Sequence, residues 1–283
     1  MEEIFFDLPS KNYLKNYGGS SIIISDTSEK FIIMSARNKN NHSELLIGSF
    51  KNNCISNLRP ILINKNDDIL KNSFGLSYPF CQTNKINNQR FLLLFFTQWY
   101  KENGFFKNRL CVGDFKKKNN SFYLENIKKI GGIFENAGAL RICNLAENNQ
   151  YKIFIPIFNS KNNFEYDIHF SKVNREININ HLTIKKQPFY PLKLPFKRTS
   201  CFSEFIYKKR KYCIFCGRDD HEYSIYITNE FNSKNKLIIK KTFTHKGGLC
   251  YPFLDSLIEP NFFLASKGRY GLDGLIKISL DNI

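Results

Sequence analysis

Residues 211–227 read KYCIFCGRDDHEYSIYI. Two readings compete for this stretch. Cys213 and Cys216 are three apart and His221 follows, which opens like a zinc knuckle. The same residues also read as a strand, a polar loop and a second strand. In an extended strand each residue rises about 3.3 Å, so the two thiols lie about 10 Å apart on opposite faces. A chelating pair needs a turn between its members, and the position of a fourth knuckle ligand is held by Tyr226. The segment is therefore expected to be β-structure without zinc, and no cofactor is expected elsewhere in the chain.

Working outward, the segment belongs to a repeat. An apolar strand, a polar turn and a second apolar strand led by an aromatic residue recur five times. The second-strand aromatics are Phe31, Phe91, Tyr151, Tyr212 and Phe262, spaced about 50–60 residues apart. A third apolar strand follows each copy, at 43–50, 108–115, 165–171, 222–228 and 273–280. A fourth stretch usually follows that, at 58–64, 126–134, 181–187 and 236–243. Period-two alternation and the abundance of β-branched and aromatic residues make these strands, and no segment carries a capped helical stripe. The expected fold is all-β: a five-bladed β-propeller with four antiparallel strands per blade. The fifth copy lacks a fourth strand, and EIFFDL (3–8) is expected to supply it and close the ring. Residues 1–283 then form a single domain.

Composition narrows the class. The chain of 283 residues holds 28 Phe, 14 Tyr, 8 Cys and a formal net charge of +17. No apolar run approaches the roughly 20 residues of a membrane-spanning helix. The N-terminus MEEIFFDLPSKN does not resemble a secretion signal, so a cytoplasmic location with reduced thiols is expected. The positive charge draws anions: nucleotide sugars, anionic polysaccharide, an anionic membrane surface or nucleic acid. The lysines are scattered, with FKKKNN (115–120) and YKKRKY (207–212) the densest runs, which argues against a compact nucleic-acid stripe.

Propeller topology brings the starts of the first strands and the loops between second and third strands to one face. That face collects the chemistry. Candidate carboxylates are Glu135, at the head of an inner strand, Glu204, within one, and Asp219 and Asp220, beside Arg218. Tyr78 and Tyr251 stand before Pro in equivalent places. Trp99, Arg37, Lys267, Arg269 and Tyr270 lie in the loops of the same face. Tyrosine and tryptophan faces stack on sugars, and forked guanidinium groups suit phosphate. Each of these residues also has a plain alternative as a turn, core or solvated residue.

The stretches ARNKNNHS, FTQWY, CGRDDHEYSIYI and CYPF…SKGRYGLDGL resemble, in order, signatures of bacterial five-bladed propellers described as glycosyl-hydrolase-like. Those proteins are related to the arabinanase, invertase and levansucrase clan. The resemblance runs from about residue 17 to 280. It implies sugar chemistry, often on furanosyl units, in a funnel-shaped pocket. There are departures. YGGSSIII lacks the Asp that clan hydrolases carry on the first inner strand. Gly247 and Gly248 stand where a Glu commonly precedes the last Tyr-Pro, and Ser224 replaces an Arg. These departures favour transfer over hydrolysis. The leading expectation is a glycosyltransferase of surface polysaccharide assembly, moving a glycosyl unit such as fructofuranosyl from a nucleotide sugar to a glycan acceptor. Peripheral contact with an anionic membrane is compatible with this. The alternatives are a glycoside hydrolase of the clan and a non-catalytic glycan-binding propeller.

Overall fold

The computed structural model describes residues 1–6, 13–24, 29–38, 40, 42–63, 73–86, 89–102, 105–130, 140–143, 150–159, 165–174, 196–219, 222–229, 238–268, 273–281 and 283. All regular structure among them is β. After the short β1 (Glu2–Glu3) and β2 (Phe5–Phe6), the first meander comprises β3 (Tyr13–Ile24), β4 (Lys30–Asn38), β5 (Ser43–Lys51) and β6 (Cys54–Pro60). A short β7 (Leu62–Ile63) leads to β8 (Ser73–Ile86), β9 (Gln89–Glu102), β10 (Phe105–Lys118) and β11 (Ser121–Lys129). The next group is β12 (Arg141–Cys143), β13 (Gln150–Asn159) and β14 (Glu165–Asn174). Then come β15 (Arg198–Tyr207), β16 (Arg210–Arg218), β17 (Ser224–Asn229) and β18 (Ile239–Phe243). The last group is β19 (Leu249–Leu254), β20 (Phe262–Lys267) and β21 (Leu275–Ser279). Within each group, neighbouring strands pair antiparallel.

Each marker aromatic lies in the second strand of its group, in β4, β9, β13, β16 and β20. The expected fourth stretch at 126–134 is displaced: β11 starts at Ser121, directly after Asn119 and Asn120. Both asparagines have positive φ, 46° and 63°. Asn52–Asn53 and Lys208–Lys209 make the same two-residue turn. Such turns match the twist of a hairpin, and Asn tolerates the left-handed region better than most residues. The densest basic runs therefore sit on tight hairpins. Lys116 and Lys118 are paired there with Glu125 at 3.0 and 2.7 Å. The stretch 181–187 lies outside the described residues.

Alternation along the strands sends apolar side chains to both faces of each meander, so the core lies between meanders. Phe31, Ile33 and Ile47 pack against Leu76, Leu94 and Phe96. Phe80, Phe95 and Leu110 pack against Leu140, Ile142 and Ile153. Phe154 meets Phe202, Cys213 and Phe215. Phe205, Ile214 and Ile225 meet Leu249, Phe263 and Ile276. Finally Ile32, Met34 and Leu46 pack against Leu264 and Leu275, so the last meander packs on the first. At the N-terminus, Glu2 and Glu3 pair antiparallel with Lys277 and Ile276 of β21, and Phe5 and Phe6 pair parallel with Cys54 and Ile55 of β6. Ile4 between them is 4% exposed.

A clip joins the meanders at one end. Gly75 bridges Ser43, and Arg198 bridges Tyr166. Leu249 N–H donates to Tyr223 O at 2.8 Å. The approach is close enough that a Cβ at Gly75 would lie 2.8 Å from Ser43 N. Gly248 has φ +100°, and a Cβ there would lie 3.3 Å from Tyr223 N. At Gly247 and Gly248 the backbone is left-handed, φ +87° and +100°, so a glutamate at either position would be strained.

Candidate functional site

The inner strands share a local device. In β8, β15 and β19 the pairing register shifts between Ser77 and Phe80, Ser200 and Ser203, and Cys250 and Phe253. Within each bulge one residue is left-handed: Tyr78 (φ 53°), Cys201 (φ 55°) and Tyr251 (φ 54°). Left-handed backbone in a non-glycine residue costs about 1–2 kcal/mol. A bulge also re-aims its side chains. Here it brings Tyr78 and Tyr251 together, with their hydroxyls 3.1 Å apart and ring centroids 4.9 Å apart. Burial, then Tyr78, Cys250 and Tyr223, push the Tyr251 phenol well above its ordinary range, so it stays neutral.

The aromatic wall continues on both sides of this pair. The Trp99 ring lies 6.4 Å from that of Tyr78, and its indole N–H donates to Ser77 Oγ at 2.6 Å. On the other side, the Arg218 guanidinium stacks on Tyr223 at 4.9 Å. Arg218 is 9% exposed and its Nε has no hydrogen-bond partner. One layer beneath the tyrosines, Phe80 and Phe253 approach to 6.1 Å. Arg141 from β12 reaches both rings, at 5.7 and 5.8 Å. Arg141 is 2% exposed, donates from Nη1 to Leu140 O at 3.0 Å and leaves Nε without a partner. Among the described residues it forms no ion pair with a carboxylate. Burial raises the Cys201 thiol, but a hydrogen bond from Cys216, the Arg141 charge and the Ser200 hydroxyl together bring it down to about 7. Among the described residues no three His, Cys, Asp or Glu side chains are placed to hold a metal.

No protein-family model and no curated protein matches the sequence. Solved structures do match. The catalytic domain of a Coprinopsis cinerea GH62 alpha-L-arabinofuranosidase superposes with a TM-score of 0.65 at 7% identity, over 99% of this chain and 95% of that one. A thermostable family-43 glycoside hydrolase gives 0.61 at 10% identity, over 94% and 91%. The beta-1,2-mannobiose phosphorylase of Listeria innocua gives 0.59 at 10% identity, over 98% and 93%. The fold is the β-propeller of these solved structures.

Within this propeller the expected site residues separate. Tyr78, Tyr251, Trp99 and Arg218 are brought to one wall. Asp219 lies beside them, exposed, with Oδ1 accepting from the Lys197 N–H at 3.1 Å. Arg37 is half-buried at the end of β4, opposite Ser43. Lys267 is drawn to the N-terminal strand, with Nζ 2.7 Å from Glu3. Glu204 faces the packing between the third and fourth meanders. It is 6% exposed, and Lys152 Nζ donates to its two oxygens at 2.8 and 3.1 Å. Glu135, Asp220, Arg269, Tyr270 and His221 lie outside the described residues. Cys213 and Cys216 belong to different packing clusters, on opposite faces of β16. Sequence reasoning passed over Tyr223, Ser77 and Arg141. The signal for Arg141 was present: a single charge inside the apolar run GALRIC (138–143). A groove of about 530 Å³, lined by Lys30, Lys51, Phe262 and Lys277 among others, contains none of the expected site residues.

Proposed function

We propose that the protein is a glycoside hydrolase whose substrate binds the wall formed by Trp99, Tyr78, Tyr251 and Arg218. The observation that carries this reading is the Tyr78–Tyr251 pair, two left-handed residues joined between separate inner strands. Strained backbone kept at corresponding positions of different strands is characteristic of binding sites. The solved structures that resemble this chain include hydrolases and a phosphorylase, which supports hydrolysis over transfer from a nucleotide sugar. The charge that recommended a nucleotide sugar is densest on hairpins at the other end of the strands from this wall. In this reading residues 1–283 form one domain, a five-bladed ring closed by β1. The five interfaces between meanders and the pairing of Glu2 and Glu3 with β21 support it.

Hydrolysis needs one carboxyl group to protonate the leaving oxygen and another to act as base or nucleophile. Glu135 and Asp219, with Asp220 as its neighbour, are the assigned acids. Glu204 has a structural role in its pair with Lys152. Arg37 and Lys267 are assigned substrate contacts, as are Arg269 and Tyr270, which lie outside the described residues.

The test is a panel of nitrophenyl glycosides, with α-L-arabinofuranoside among them, run beside nucleotide sugars with glycan acceptors. Release of nitrophenol without any nucleotide is expected, and Glu135→Gln should lower turnover by about 10²- to 10⁴-fold. Sugar transfer seen with nucleotide sugars alone would return the transferase to first place. Ring closure is tested by deleting residues 1–6. The truncated chain should melt at lower temperature and aggregate through the exposed edge of β21. An unchanged melting temperature would remove β1 from the ring.

A further inference from the structure

We infer that the wall recognises an oxyanion carried on a sugar, either a ring carboxylate or a phosphate ester, through Arg218. This rests on the glycan-binding part of the reading above and narrows its substrate class. Arg218 ends β16, is 9% exposed, and lies with its guanidinium 4.9 Å over the Tyr223 ring. Its Nε is buried without a hydrogen-bond partner. Among the described residues it takes part in no ion pair. Of the two nearest described acids in the chain, Asp219 accepts from Lys197 N–H at 3.1 Å and Glu222 from Gly247 N–H at 2.9 Å, and neither forms an ion pair with Arg218.

A buried cation outside any ion pair is costly, and a buried donor without an acceptor adds to that cost. A neutral sugar would relieve only the second, since its hydroxyls accept hydrogen bonds but carry no charge. A carboxylate or phosphate relieves both, and the planar fork of arginine suits their paired oxygens. The neighbouring tyrosines fit the same ligand. Tyr223 holds the guanidinium in place, and the Tyr251 phenol stays protonated, so it offers a neutral hydroxyl rather than a repelling phenolate.

The experiment is calorimetric titration of the full chain with two matched pairs: trigalacturonic acid against galactotriose, and glucose 6-phosphate against glucose. At least one charged member should bind roughly 10-fold tighter than its neutral counterpart. That preference should shrink as salt is added. It should vanish in Arg218→Gln and return in part in Arg218→Lys. A leading uronate identifies the carboxylate source, and a leading phosphate ester the other. If the glutamine variant does not fold, the Arg218 Nε–H resonance of the unaltered protein should move with the charged ligand and stay with the neutral one. Equal affinity within both pairs, an undiminished preference in Arg218→Gln, or no binding by any of the four overturns the inference. Cleavage of neutral glycosides without charge preference would sink this inference alone. A charge preference without cleavage would sink the hydrolase reading and leave this one standing.

Discussion

The hydroxyls of Tyr78 and Tyr251 meet at 3.1 Å although the residues are 173 positions apart in the chain. Each comes from a bulge in an inner strand, and each holds a left-handed backbone to do so. Tyr251→Phe keeps both rings and removes the bond. The loss should be about 1 kcal/mol of stability in urea titrations, the usual net worth of one hydrogen bond. Glycan affinity should fall in the same variant. A variant that loses stability while binding glycan unchanged would make the pair a structural tie.

Gly75→Ala tests the clip between the first two meanders. The new methyl would sit 2.8 Å from Ser43 N and 3.1 Å from Ser43 Cβ, with backbone on one side and little freedom to yield. Overpacking of this kind costs typically about 1–3 kcal/mol. The expected result is a lower unfolding midpoint with an unchanged slope against denaturant.

Glu204 and Lys152 separate stability from turnover. Removing Lys152 as Met strips a charged partner from a carboxylate whose side chain is 8% exposed. Breaking a buried pair on one side costs about 3–5 kcal/mol, and the 27% exposure of Lys152 places this case at the lower end. Lys152→Met with Glu204→Leu should recover much of the loss. Glu204→Gln should change the melting temperature more than the turnover number. Turnover lost at unchanged stability would restore Glu204 as a catalytic acid.

Cys201 should make stability depend on pH. Its thiol titrates near 7 in the folded protein, against an ordinary value of 9.0. Between these values the unfolded chain binds more protons, so stability rises with pH. The contribution is fully present above about 9 and lost as pH falls through about 7. Unfolding midpoints measured from pH 6.5 to 9 should therefore climb more steeply in the unaltered protein than in Cys201→Ser. Arg141→Leu removes one of the groups that lower this thiol and should flatten the climb as well. Parallel curves for all three proteins would contradict the assignment.

Strand order was legible in the sequence because strand formation leaves a local trace. Alternating apolar residues and the five aromatics at 31, 91, 151, 212 and 262 mark second strands without reference to anything distant. The same locality rejected a chelating turn at Cys213 and Cys216, which point to opposite faces of β16. Propeller topology also assigned Tyr78, Trp99, Arg218 and Tyr251 to one end. Which residues touch, and which are already engaged, was decided only by tertiary structure. Glu204 reads as a channel acid and Lys267 as part of an anion clamp in sequence; the fold adds Lys152, 52 positions away, to the first and Glu3, 264 away, to the second. Arg141 sits over Phe80 and Phe253, which close the two equivalent Tyr-Pro-Phe runs of different meanders, and no local pattern ties Arg141 to either. The physical reason is range. Backbone periodicity depends on a few neighbouring residues, whereas the charge state and purpose of a buried side chain depend on what the fold brings to it from elsewhere in the chain.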